Sequence, residues 1–238
     1  MDREGLAELA LDAPLVLLGE RIQDAGIPHY SMDNVSAASE MVHHLYQQGA
    51  RSFLILGSTH TRATSSAGAL RQRGIEKALS ELGLDSWAWR SVEVSPWTAE
   101  GAESALGQWL ESNTLPDAIF TMNDLLGAGA LRALSRAQVR VPEDVLVSSW
   151  DDTVLSRFST PALTTISPDT HAIAHEAVAG LIALIEGNGR TGEPGEAKGP
   201  DTDTTETLNP AHSNQPSTQV SDVTVSYTLT VRESTKRV

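Results

Sequence analysis

Two polar pairs carry the side chains with the most obvious chemical use. Asp151-Asp152 closes the apolar run VLVSSW at residues 145–150, and Asn123-Asp124 closes AIFTM at residues 118–122. A carboxylate has several acceptor sites and makes strong charge-assisted bonds, so it can move a proton, hold a metal or grip hydroxyl groups. Proton transfer in catalysis needs a companion nucleophile, metal or cofactor. None accompanies Asp151-Asp152. The chain has no cysteine, no GxSxG elbow, no HExxH helix and no Walker-type glycine loop. The pair therefore reads as a binding feature, and neither an enzyme activity nor a cofactor is expected. His171 and His175 lie four apart on one helical face, but two imidazoles without a third ligand make a poor metal site. Solvated or core histidines are expected there. His43 and His44 are adjacent, face different ways and imply no site.

Both pairs sit where a strand hands over to a helix. Residues 14–18 (PLVLL), 53–56 (FLIL), 87–94, 118–122, 145–150 and 163–166 read as strands. Between them lie helices. Residues 34–48 place Val35, Ala38, Met41, Val42 and Leu45 on one face, with Asn34 or Ser36 as cap and Gly49 at the end. A second helix carries Leu70, Ala78, Leu79 and Leu82 and stops at Gly83. A third, capped by Thr98, turns Ala102, Ala105, Leu106, Trp109 and Leu110 inward. Residues 125–137 and 170–186 complete the set. Strands alternating with helices predict an α/β fold with open, mostly parallel sheets and helices on both faces. Such sheets bind ligands beyond the carboxyl ends of their strands, which is where both pairs stand.

The net charge of −14 argues against direct contact with nucleic acid. Residues 190–219 are acidic, yet the rest of the chain stays strongly acidic without them. The charged start, Met1-Asp2-Arg3-Glu4-Gly5, is no signal peptide and the apolar runs are too short for a membrane span, so a cytoplasmic location is expected. Residues 188–220 are rich in Gly, Pro, Thr and Asp, a composition too polar to offset its ordering entropy, and read as a flexible linker. Residues 223–231 alternate as a terminal strand with one buried face.

Four blocks, in order, resemble the LacI/GalR transcription regulators: DNVSAASEMVHHLYQQGARSFLILG at 33–57, AIFTMNDLLGAG at 118–129, VLVSSWDDT at 145–153 with PALTTI at 161–166, and TVRES at 230–234. The resemblance covers nearly all of the chain except the linker. It implies a periplasmic-binding-protein-like type I fold: two α/β lobes around a small effector, usually a sugar-like or nucleoside-like molecule, in a protein that pairs as a homodimer and meets DNA through a separate headpiece. On this alignment residues 31–166 form a complete second lobe. Residues 1–30 and 167–187 are a partial first lobe, and residues 221–238 add the C-terminal strand. A solute-binding protein of a transport system, or an inactive truncated remnant, are the alternatives.

The resemblance also implies roles. Asp151 accepts hydrogen bonds from ligand hydroxyls and Asn123 makes a polar contact, with Asp152 structural and Asp124 the helix cap. Trp97 stacks on the ligand, and Tyr30 is a further aromatic candidate near the lobe crossing. The family arginine is expected at position 69, which is alanine here. Arg71 and Arg73 lie at other angular positions and Arg62 in a loop, so a weakened or altered anchor is expected.

Overall fold

The computed structural model describes residues 5, 9–10, 13–19, 26–58, 66–84, 86–189 and 222–236. The expected linker overlaps a described helix at residues 188–189, and its remainder, 190–220, lies outside the described residues, as does Arg62. The described elements are β1 (Leu17–Leu18), β2 (His29–Met32), α1 (Asn34–Gln47), β3 (Phe53–Ser58), α2 (Ala67–Glu81), β4 (Trp89–Glu93), α3 (Ala99–Ser112) and β5 (Ala118–Thr121). There follow α4 (Asp124–Arg136), β6 (Leu146–Trp150), α5 (Val154–Phe158), β7 (Thr164–Pro168), α6 (Thr170–Gly189), β8 (Val223–Val225) and β9 (Tyr227–Thr230). No described helix is long and apolar enough to cross a membrane.

The large sheet runs β4-β3-β5-β6-β7-β9 and is parallel except for β9, which is antiparallel to β7. Strands β3, β5 and β6 are buried along their whole length. Their near-continuous apolar composition follows from being covered on both faces. Connection order reverses between β3 and β5: the chain goes out to β4 and returns on the other side. In open sheets such a reversal marks where ligands bind, here the carboxyl ends of β3 and β5.

Glycines set how closely the helices meet. A Cβ at Gly74 of α2 would collide with the Val35 carbonyl oxygen and lie 2.9 Å from Ala38 Cβ. A Cβ at Gly129 of α4 would collide with the Ala99 carbonyl oxygen and lie 2.8 Å from Ala102 Cβ. The pairs α1/α2 and α3/α4 thus pack backbone to backbone, around a core that includes Phe120, Trp150, Met41 and Leu54.

The small sheet, β1-β2-β8, is parallel and short. Helix α6 lies on it: Ala177 is buried, and a Cβ at Gly180 would strike the Tyr30 hydroxyl. Residues 223–231, expected as one strand, are two. Strand β8 pairs with β2 in the small sheet, whereas β9 pairs with β7 in the large one. The break at Ser226 lets one ribbon serve both sheets, and Asp169 N donates to Ser226 O there at 3.2 Å. Two further details differ. Strand β1 is confined to Leu17–Leu18. The cap of α1 is Asp33, which accepts from Ser36 N at 2.9 Å.

Candidate ligand-binding site

Helix α4 begins where β5 ends, and its first free N–H groups need acceptors. Asn123 supplies one: its Oδ1 accepts from Leu126 N at 2.9 Å. The expected cap, Asp124, is instead turned inward and 1% exposed. Its carboxylate accepts from Ser149 Oγ at 2.5 Å, Thr153 N at 2.6 Å, Thr153 Oγ1 at 2.8 Å and Thr165 Oγ1 at 3.4 Å. These donors replace the water that the buried carboxylate gives up. Asp124 thereby ties β6, β7 and the loop after Trp150 to the start of α4.

That loop is strained. Asp151 has φ 103° and Asp152 φ 50°, two consecutive non-glycine residues in the left-handed half of the map. Such backbone persists where surrounding contacts over-determine it, and it clusters at functional sites. Asp151 N donates to Ile166 O at 3.0 Å, while its side chain is 41% exposed and turned to Arg71, 3.6 Å from Oδ1 to Nη2.

Arg71 is a correction to the expected anchor. It is 7% exposed. Its Nε donates to Asn34 Oδ1 at 2.9 Å, its Nη1 donates to the Met122 carbonyl, and its guanidinium carbon lies 4.2 Å from the centre of the Trp150 ring. The position three residues before Gly74, rather than five, carries the cation to the carboxyl end of β5 and to Asp151. The contact between Gly74 and Val35 fixes the rotation of α2 and turns Leu70, Arg71, Ile75 and Ala78 inward together. Arginine suits this place, since a planar guanidinium stacks on an aromatic face while its N–H fork stays directional.

A periplasmic binding protein-like domain model matches residues 42–202, and a LacI-type transcriptional regulator structure from Sanguibacter keddieii shares 31% identity. The chain belongs to the LacI family. The Sanguibacter match has a TM-score of 0.75 and covers 93% of this chain and 73% of that one. A LacI-type regulator from Bifidobacterium animalis is 27% identical, with a TM-score of 0.72, over 93% of this chain and 71% of that one. The HTH-type transcriptional repressor CytR of Escherichia coli is 28% identical over 180 residues, 73% of this chain and 50% of the repressor. The chain spans about half the length of the curated relatives it matches and carries the effector-binding region of this family.

Trp97 is half-buried and sits over the first turn of α2; a Cβ at Gly68 would lie 3.3 Å from its Cη2. It borders the helix that carries Arg71. Tyr30 is elsewhere: it is 6% exposed in the small sheet with its hydroxyl against Gly180. Two more polar atoms emerge at this end of the large sheet. Ser58 Oγ ends β3 and Trp150 Nε1 ends β6; both are buried and neither has a hydrogen-bond partner among the described residues. Buried orphans of this kind call for a ligand or a water. Strand-end position was the signal for Ser58. Arg71 had its own signal, an arginine on the apolar i, i+3, i+4 stripe of its helix. The histidine pair gathers no third ligand: His175 is exposed beside Glu176, and no group of three or more metal-binding side chains occurs among the described residues.

Proposed function

We propose that this chain senses a small polyhydroxylated effector, a sugar-like or nucleoside-like molecule, held at the carboxyl ends of β3, β5 and β6. The observation that carries this reading is the Asp151–Arg71 pair, an exposed carboxylate on strained backbone facing a buried, ring-stacked guanidinium. A vicinal diol suits the pair, since its hydroxyls donate to the carboxylate and accept from the guanidinium. Asn123 keeps its Nδ2 amide for the ligand while Oδ1 caps α4, and Trp97 supplies an apolar wall for a ring. Tyr30 has no direct contact in this scheme and acts through the packing of α6. In a longer protein carrying a headpiece, the effector would change operator affinity to the extent that it binds two lobe arrangements differently.

Pairing of two copies suits the face where Leu125, Val154, Leu155 and Phe158 stand exposed, Phe158 at 82%. The test of the ligand site is calorimetric titration with D-ribose, a hexose panel, and a purine and a pyrimidine ribonucleoside. One class is expected to bind. Asp151→Ala and Arg71→Gln should each weaken it at least about tenfold, the range for a lost charge-assisted bond. Binding unchanged in both variants would overturn the assignment.

A further inference from the structure

The C-terminal ribbon brings a second cation to the Asp151 loop. Arg232 follows β9 and is held by its backbone, with N donating to Thr164 Oγ1 at 2.8 Å. Its Nη1 donates to Leu163 O at 2.9 Å and its Nη2 to Asp152 Oδ1 at 2.6 Å. Both side chains of this ion pair are largely shielded, at 18% and 19% exposure. Ser156 Oγ adds a longer bond to the same carboxylate oxygen at 3.3 Å.

Contacts from several elements hold the strained loop in place. Ile166 O receives Asp151 N, Asp124 receives Thr153 N, and Arg232 grips Asp152 between them. Ile166 belongs to β7 and Asp124 to the first turn of α4, both packed in the large sheet and its helices. Arg232 belongs to the ribbon, and the ribbon is shared: β8 pairs with β2 in the small sheet, while β9 pairs with β7 in the large one. A movement of one sheet against the other would have to bend this ribbon near Ser226, six positions before Arg232. The adjoining residue of the loop carries the ligand-facing carboxylate.

We propose that Arg232, acting through Asp152, is a positioning residue that couples the ribbon joining the two sheets to the orientation of Asp151. This rests on the reading of Asp151 as a ligand contact. By linkage, whatever an effector gains from Asp151 is returned as ordering of β8 and β9, and loosening the ribbon weakens the effector. Arginine is needed because one guanidinium serves Asp152 and the Leu163 carbonyl together; lysine offers a single point of contact.

The experiment compares Arg232→Gln, Asp152→Asn, the double variant and Arg232→Lys in the full chain. Amide hydrogen exchange without ligand is read at residues 151–153 and 227–230 and, for reference, in β3 and β5. Each single change should speed exchange about tenfold at the loop and ribbon while leaving β3 and β5 unaltered, and the double variant should be no worse than either single one. Titration with D-ribose and the two ribonucleosides should show the bound class weakened by a similar factor, with Arg232→Lys in between. Additive singles, or faster exchange spread evenly over β3 and β5, would overturn the coupling. A wild-type chain that binds no probe sinks the effector reading instead, and the exchange pattern still decides the coupling.

Discussion

The large and small sheets are built from the same kinds of element and differ in what covers them. In the large sheet β3, β5 and β6 are wholly buried, and four helices meet in pairs close enough for glycine to be required. In the small sheet the strands are two to four residues long. Helix α6 on that sheet turns only part of its circumference to it. Ala177 is buried, whereas Val178, Ile182 and Ile185 are 57%, 49% and 54% exposed. These three recur at i, i+4 and i+7, so they form a stripe rather than scattered apolar residues. Cohesion therefore resides in the sheet that carries Arg71 and Asp151, and the small sheet is a weaker partner hung on it by the β8–β9 ribbon.

The sharpest test of that contrast is a core truncation. Phe120, 1% exposed in β5, should cost about 3–5 kcal/mol when replaced by alanine. Urea unfolding would register the change as a lower midpoint. Amides of β1, β2 and β8 should exchange at least about a thousandfold faster than those of β3, β5 and β6, because local opening needs less free energy where few contacts are buried. Equal protection in the two sheets would break the comparison. Glycines sharpen it further. Gly129→Ala forces a methyl into Ala99 and should cost about 1–3 kcal/mol. Gly187 of α6 has nothing within 4 Å of its would-be Cβ, so Gly187→Ala should gain about 0.5–1 kcal/mol of helix stability. That gain should show in exchange of α6 amides and leave the main unfolding midpoint where it was.

The alternation of strands and helices was legible because burial on both faces leaves an apolar signature, as in residues 118–121 and 146–150. The strand-end rule also pointed to Asp151. The division of labour between Asn123 and Asp124 was not legible, because both residue types cap helices well. What turns Asp124 inward is a set of donors from Ser149, Thr153 and Thr165, between 25 and 41 positions away. Arg71's place on the apolar stripe of α2 was legible, but what it reaches was not: that depends on how Gly74 seats α2 against α1, a tertiary contact. The terminal strand hid its break at Ser226, since alternation continues smoothly through residues that pair with two different sheets.

Acid should find the seam between helix α1 and the C-terminal segment. His44 Nε2 meets Thr235 Oγ1 at 2.8 Å, and Thr235 is fully buried and bonded to Thr164 Oγ1 at 2.7 Å. Burial lowers the His44 pKa below the usual 6.5. Above that value both folded and unfolded chains hold a neutral ring and the contribution is fully present. As pH falls below 6.5 the unfolded chain takes up the proton first, so stability drops until the folded ring protonates too. The melting temperature should fall by no more than about 2–4 °C between pH 8 and pH 5 on this account. His44→Gln, which keeps a hydrogen-bonding side chain near Thr235, should flatten that part of the profile. An unchanged slope would assign the acid sensitivity to other groups.

The smallest effect on stability should come from the outer stripe of α6, and there the two sheets separate by a different measure. Exposed positions contribute little to folding, so Val178→Lys, Ile182→Glu and Ile185→Lys together should shift the unfolding midpoint by an amount within about 0.5 kcal/mol per site. Their effect should appear in sedimentation instead. A stripe without a covering layer favours weak, concentration-dependent association, and the triple variant should abolish it. If two copies pair through the face proposed above, Phe158→Glu in α5 should act differently, giving monomer at every concentration where the wild type forms a discrete dimer. If the α6 variant alone dissolves a discrete dimer, the pairing surface belongs to the small sheet, and the apolar face of α5 is left to another partner.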